Sequence, residues 1–234
     1  MKMKMKRVLL ALLIIVSIST AKAQNEVDVD LTADFVSSTI WRGSYLGGAS
    51  VQPEVSVGWR GLELSAWGSA GVADGRYEID LTLSYTIGGL TLSVVDYWDN
   101  TGGTSFFYYK PKSTGHSFEG AIEYDFGPVA ASWQTFFAGS DYQEADDKRA
   151  FSSYFEISAP FHLGGLEWIA KAGVVPWASD YYDTKGFSLK CVSLKATKDI
   201  QITEKFVLPL YGELSADPFA RNLYFVAGFT IKAF

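Results

Sequence analysis

Two histidines and one cysteine are all the imidazole and thiol in this 234-residue chain. A histidine-based catalytic site would be built on His116 or His162, and the single cysteine, Cys191, allows no intramolecular disulfide. His116 is followed by Ser117, and Asp96, Asp99 and Asp141 stand where a strand-rich fold would bring them to the same end of the molecule. A histidine with a serine nucleophile and an orienting carboxylate is the arrangement of a hydrolase. In extended chain, however, neighbouring side chains point to opposite faces, so Ser117 diverges from His116. His162 falls in the Phe161–Gly165 turn, away from those carboxylates. The expectation is a solvated histidine at a rim and no catalytic residue. Metal chemistry has less support. The lone cysteine and scattered histidines lack ligand spacing for zinc or copper. Asp141, Glu144, Asp146 and Asp147 cluster without the regular spacing of a calcium loop. No metal and no cofactor are expected.

The elements that must position these residues are strands. From Tyr77 to Ile87, Tyr77, Ile79, Leu81, Leu83, Tyr85 and Ile87 share one parity, and Glu78, Asp80, Thr82, Ser84 and Thr86 the other. Only a strand separates those sets onto opposite faces. The same alternation runs through Val27 to Phe35 and Ser117 to Phe126. Twelve such segments are predicted, at 27–40, 50–60, 62–70, 76–87, 90–98, 116–126, 129–138, 150–160, 165–175, 186–198, 205–215 and 222–233. The tenth changes parity between Leu189 and Val192, which a bulge near Lys190 would explain. Connections after the second, fourth and sixth segments are tight (Arg60-Gly61, Gly88-Gly89, Gly127-Pro128). Those after the eighth and tenth are short, around Gly164-Gly165 and Asp199 to Thr203. Connections on the other side are mostly longer, the longest being Asn100 to Gly115.

Alternating strands with short turns at one end and long loops at the other are the pattern of an outer-membrane barrel. The predicted fold class is all-β, a transmembrane antiparallel up-and-down β-barrel of about 12 strands. Aromatics at Tyr77, Tyr85, Trp41, Trp59 and Phe126 fall near the ends of the apolar faces, where interfacial girdles belong. Phe234 is aromatic and terminal but lies on the opposite parity to Phe225, Ala227, Phe229 and Ile231. A soluble sandwich also alternates, but its polar faces need not be charged along full strands.

The start of the chain agrees. Lys2, Lys4, Lys6 and Arg7 precede an apolar run from Val8 to Ile18, then Ala21-Lys22-Ala23. This reads as a secretory signal peptide, 1–23, with the barrel at 24–234. Five of the twenty basic residues and none of the twenty-six acidic ones lie before residue 24, leaving fifteen against twenty-six, a net charge of −11. A chain this acidic is a poor nucleic-acid binder. The expected setting is the outer membrane of a Gram-negative bacterium. Its lipid and lipopolysaccharide, the barrel-assembly machinery and small hydrophilic solutes are the expected partners.

Parity assigns the inner face. Asp28, Asp30, Asp34, Glu54, Glu63, Glu78, Asp80, Glu119, Glu123, Asp125, Glu156 and Glu167 point inward, against only Arg60, Lys171, Lys195 and Lys232. One sign of charge in a low-dielectric wall favours counter-ions, so a cation-preferring or neutral-solute path is expected. Inward Trp67, Phe136 and Tyr154 can fill space, and twelve strands lie between a side-chain-filled core and a wide channel. A closed barrel acting through its loops is therefore the alternative. Trp41 and Arg42 are assigned to the rim, where the Arg would steer anions or keep its head in water beside an interfacial Trp.

Residues 37–97, about a quarter of the chain, resemble the TorF-like porins. The resemblance is carried by Trp41-Arg42-Gly43, Pro53, Trp67-Gly68-Ser69, Glu78-Ile79-Asp80-Leu81 and Asp96-Tyr97-Trp98. It implies a barrel and a pore, and supplies neither a substrate nor catalytic residues.

Overall fold

The computed structural model describes residues 27–110, 112–143, 145 and 147–233. The predicted signal segment, Glu144 and Asp146 of the acidic cluster, and Phe234 lie outside them. The alternation expected from the sequence is realised as twelve wall strands: β1 (Val27–Val36), β4 (Ser50–Trp59), β5 (Leu62–Gly71), β6 (Tyr77–Ile87), β7 (Leu90–Asp99), β8 (His116–Asp125), β9 (Ala130–Gly139), β10 (Ser153–Leu163), β11 (Leu166–Val175), β12 (Ser188–Thr203), β13 (Phe206–Asp217) and β14 (Asn222–Lys232). Each pairs antiparallel with its neighbour in sequence, and β1 pairs with β14 to close the barrel. Closure leaves no free sheet edge over the paired rows, which a strand protein in lipid requires.

The outer wall is apolar. Val57, Leu64, Leu83, Leu92, Ile122 and Leu214 are all exposed and belong to the outward parity of their strands. Trp59, Tyr77, Tyr85 and Phe126 are exposed near strand ends. A surface of this kind is covered by lipid acyl chains, and with the closed barrel it defines a transmembrane β-barrel. The five short turns lie at one end of the strands, with both ends of the described chain, and the longer loops lie at the other.

Several boundaries differ from the sequence reading. The eighth predicted strand, expected at 150–160, is Ser153–Leu163, so His162 pairs with Glu167 in the ladder and does not lie in a turn. The first strand ends at Val36, not 40, because Ser37 ends the ladder: its N–H donates to the Ala227 carbonyl and its Oγ accepts from the Ala227 N–H, both at 2.9 Å. The chain then leaves the wall as a small hairpin, β2 (Thr39–Trp41) and β3 (Ser44–Gly47). Its two-residue turn, Arg42-Gly43, has φ of 48° and 80°. Positive φ at both positions is what a tight hairpin turn of matching twist demands. β12 also runs on to Thr203, its ladder passing through Asp199↔Pro209 and Gln201↔Val207, so the turn is Glu204-Lys205. Last, Arg60, predicted to point inward, sits in the β4–β5 turn at φ 50°, outside strand alternation, with its guanidinium 5.3 Å from the Trp59 ring. The bulge predicted near Lys190 is present, since Gly173 faces Cys191 and Val174 faces Leu189. As a result Lys190 and Cys191 are both buried.

Candidate functional site

The inner face has two sectors. In the first, the β2–β3 hairpin carries Arg42 into the barrel and against β8. Arg42 Nη1 and Nη2 donate to Glu119 Oε1 and Oε2 at 2.6 and 2.8 Å. Nη1 also donates to the Tyr182 hydroxyl, and the Tyr97 hydroxyl donates to Glu119 Oε2 at 2.9 Å. The guanidinium lies 4.3 Å from the Trp41 ring centroid and 4.7 Å from that of Tyr154. Glu119 is 1% exposed, and Phe136 and Tyr154 are fully buried. A fork-on-carboxylate pair with two rings against the guanidinium is among the stronger ionic contacts a protein makes. A charge buried this far must be paired, and this one is.

Several elements converge to hold that cluster. Tyr181 and Tyr182 come from the 176–187 loop. Tyr182 stacks on Trp41 at 6.0 Å, and Tyr181 packs against Phe136 at 4.3 Å. Burial raises both phenols well above their usual range, so they remain protonated. The loop is anchored by a chain of hydrogen bonds from Ser179 Oγ to Ser152 Oγ (2.7 Å) and from Ser152 Oγ to Asp141 Oδ1 (2.7 Å). Beside it, Lys190 pairs with Asp217, both buried. The hairpin tip rests on the β12 bulge, where the Lys190 carbonyl oxygen lies 2.2 Å from the place a Cβ would take on Gly43. The hairpin base is tied by Gln52 Nε2, 3.0 Å from Thr39 Oγ1, and by Arg76, which donates to the Leu46 carbonyl.

The second sector is open. A cavity of about 240 Å³ lies within the barrel, lined by Asp34, Glu78, Asp80 and Glu213, with Lys195 as the cation of its lining. Trp67, Gln52, Tyr97 and Tyr211 complete its wall, and Thr39, Ile40, Trp41 and Leu46 of the hairpin bound it. Lys195 Nζ stands 3.8 Å from the Tyr211 ring centroid, and Asp34 accepts from Thr230 Oγ1 at 2.6 Å. Asp80 Oδ1 is buried with no hydrogen-bond partner among the described residues. A second cavity, about 280 Å³, lies toward the short-turn end and is lined by Asp30, Thr32, Glu54, Ser56 and Lys232.

The residues singled out by parity therefore fall into distinct groups. Asp34, Glu78 and Asp80 meet at the first cavity, and Asp30 and Glu54 at the second. Asp28, Glu63 and Glu123 are exposed near the short-turn end. Glu156 faces Lys171, 3.4 Å away. Glu119 is engaged by Arg42. Trp41 and Arg42, assigned to the rim, are instead turned into the barrel, because the chain leaves the wall at Ser37 and the hairpin folds inward. Tyr97 entered only through the family resemblance and Lys190 only as the place of a bulge, while Tyr182 and Asp217 were not singled out. Tyr97 and Asp217 share the inward parity of their strands and were legible in principle, whereas nothing local marks Tyr182.

The histidine site is on the other side of the wall. His116 follows the outward parity of β8, as Asp96 and Trp98 do on β7, and it is fully buried. Its Nδ1 lies 2.7 Å from Asp96 Oδ1 and its Nε2 2.5 Å from the Phe106 carbonyl. Tyr109 stacks on it at 4.0 Å. Loop 100–115 thus covers His116, which is not a solvated rim residue. Both ring nitrogens face oxygen acceptors, and Ser117 Oγ pairs with Ser140 Oγ at 2.7 Å on the inner side. Among the described residues the ring nitrogens meet Asp96 and the Phe106 carbonyl and no serine or cysteine side chain. Among the described residues no group of three or more His, Cys, Asp or Glu is placed to hold a metal ion.

No protein-family model and no curated protein sequence matches the chain. Solved structures similar in shape include the NanC porin (9% identity, 87% of this chain and 98% of that one, TM-score 0.45). Others are Salmonella typhi OmpF in complex with daunomycin (8%, 89% and 98%, 0.38) and Pseudomonas aeruginosa OccK5, also called OpdH (13%, 91% and 69%, 0.35). At these identities and TM-scores, what the barrel does must be argued from its own residues.

Proposed function

We propose that this protein is an outer-membrane channel through which small hydrophilic solutes diffuse passively, with a preference for cations. The observation that carries this reading is the 240 Å³ cavity inside the closed barrel, whose lining sets four carboxylates against one lysine. Within a low-dielectric wall such a lining concentrates cations and repels anions. The resemblance of residues 37–97 to the TorF-like porins points the same way. The signal-like start of the chain fits export to that membrane, where lipopolysaccharide would surround the loop end and the barrel-assembly machinery would insert the strands. No catalytic role is assigned.

The plugged sector favours one alternative, a closed structural or adhesive barrel acting through its loops. Planar-bilayer recording separates the two. The channel reading expects stepwise currents and, in a potassium chloride gradient, a reversal potential displaced toward that of potassium. Anion selectivity would overturn the cation preference. A folded but silent barrel would overturn the channel and leave the loop-acting one.

A further inference from the structure

Arg42 occupies its pocket as a ligand would. We propose that the pocket around Glu119 is a recognition site for guanidinium-bearing solutes, and that Arg42 is a tethered stand-in for such a solute. The inference deepens the channel reading and rests on it for the solute's passage, though not for its binding.

The pocket's chemistry selects a guanidinium. Both carboxylate oxygens of Glu119 accept from the two terminal nitrogens of Arg42 at 2.6 and 2.8 Å, a fork that a primary ammonium cannot reproduce. Tyr154 covers one face, and the Tyr97 hydroxyl fixes Glu119 Oε2 at 2.9 Å. These groups belong to β7, β8 and β10, and Tyr182 belongs to the 176–187 loop. None of them is on the hairpin that brings Arg42. The receptor half is therefore built independently of its present occupant.

The location suits a solute site. Trp41 and Tyr97 pack in the cage and also line the acidic cavity, so an organic cation held there is one ring away from Glu119. Arg42 itself is presented on a two-residue turn with positive φ at both positions, on a hairpin that leaves the wall at Ser37. When a solute takes Glu119, the hairpin loses its deepest contact while the wall of the pocket stays in place. A tethered occupant acts at an effective concentration of about millimolar or more. Exchange is thus expected at millimolar solute and much more readily once Arg42 is removed.

The test uses the full folded chain in detergent, with barrel integrity checked by heat-modifiable gel migration. Methylguanidinium is titrated calorimetrically against wild type, Arg42→Ala and Arg42→Ala/Glu119→Gln, with methylammonium at equal ionic strength as the comparison ligand. Arg42→Ala should bind methylguanidinium at least tenfold more tightly than wild type and at least tenfold more tightly than it binds methylammonium. The double variant should lose that binding. Arg42→Lys, which keeps a cation beside Glu119, should fall between wild type and Arg42→Ala and serves if the alanine variant does not fold. Arg42→Ala binding no tighter than wild type, or no preference over methylammonium, overturns the proposal. Bilayer recordings on the same preparations separate the two readings. Potassium current without guanidinium binding removes this inference and leaves the channel, whereas binding without current removes the channel and leaves the pocket.

Discussion

Glu119 and Asp80 lie on neighbouring parts of one inner wall, both carboxylates on the inward parity of their strands, and their fates differ. Glu119, on β8, is 1% exposed and bound by the fork of Arg42. Asp80, on β6, lines an open cavity, and its Oδ1 has no partner among the described residues. The strands alone do not make this difference. The β2–β3 hairpin and the 176–187 loop both enter the barrel on the Glu119 side and bring a cation and three rings with them. Alternation decides which residues face inward, and the loops decide which part of the interior is dry.

Removing the carboxylate on each side tests that comparison most strongly. Glu119→Ala leaves a buried guanidinium unpaired, a change that costs about 3–5 kcal/mol when one partner of a buried pair is lost. It should lower the denaturant midpoint of the folded barrel and raise potassium conductance as the hairpin loosens. Asp80→Ala should leave the midpoint nearly unchanged and reduce the cation preference read from reversal potentials. Equal destabilisation by both would dissolve the distinction between the two sectors.

Aromatic residues repeat the contrast at a comparable size. Phe136 is fully buried among Tyr97, Tyr181 and Tyr182, so Phe136→Ala should cost about 3–5 kcal/mol through the cavity it leaves. Trp67 lines the open cavity and keeps part of its surface exposed. Trp67→Ala should cost clearly less and should widen the path, read as a larger single-channel step. Gly43 sharpens the picture further. An added Cβ would meet the Lys190 carbonyl oxygen at 2.2 Å, on a backbone at φ 80°. Gly43→Ala should therefore cost about 1–3 kcal/mol and lift the hairpin tip. Gly88→Ala, at φ 59° with nothing within 4 Å, should disturb only its own turn and leave conductance as it was.

Most of the wall was legible because its signal is local. Tyr77 to Ile87 alternates without a break and is a strand over those residues. Two like-parity runs offset by one residue disclosed the bulge at Lys190. The plug was not legible, because its contacts join residues 77 and 140 positions apart, Arg42 to Glu119 and Arg42 to Tyr182. Pattern reading over a window of ten residues has no access to such pairs. Ser37-Ser38 interrupts the apolar parity only briefly, and without knowledge of Ala227 across the seam the first strand reads through to Ile40. Arg60 failed for a different reason. Its parity is inward, but a left-handed turn position does not obey the alternation of the strand before it.

The mildest test concerns the outside of the wall, where His116 pins loop 100–115. Two ring hydrogen bonds and the stacked Tyr109 hold the loop over Trp98, while Phe107 near its crown is 87% exposed. His116→Ala removes both bonds and leaves Asp96 and the Phe106 carbonyl seeking water, at a local cost of about 1–3 kcal/mol. The loop should then open more often, and trypsin should cut after Lys112 faster than in the wild type (the Lys110-Pro111 bond is refractory to trypsin). Conductance and ion preference should not change, because the loop packs on the outward parity of β7 and β8 and none of its described residues lines either inner cavity. A change in selectivity with His116→Ala would mean that the loop reaches the lumen after all. Loss of a hydrolytic activity found in the pure protein would restore the histidine to chemistry, although in this geometry both of its nitrogens are already engaged and the neighbouring serine lies across the wall.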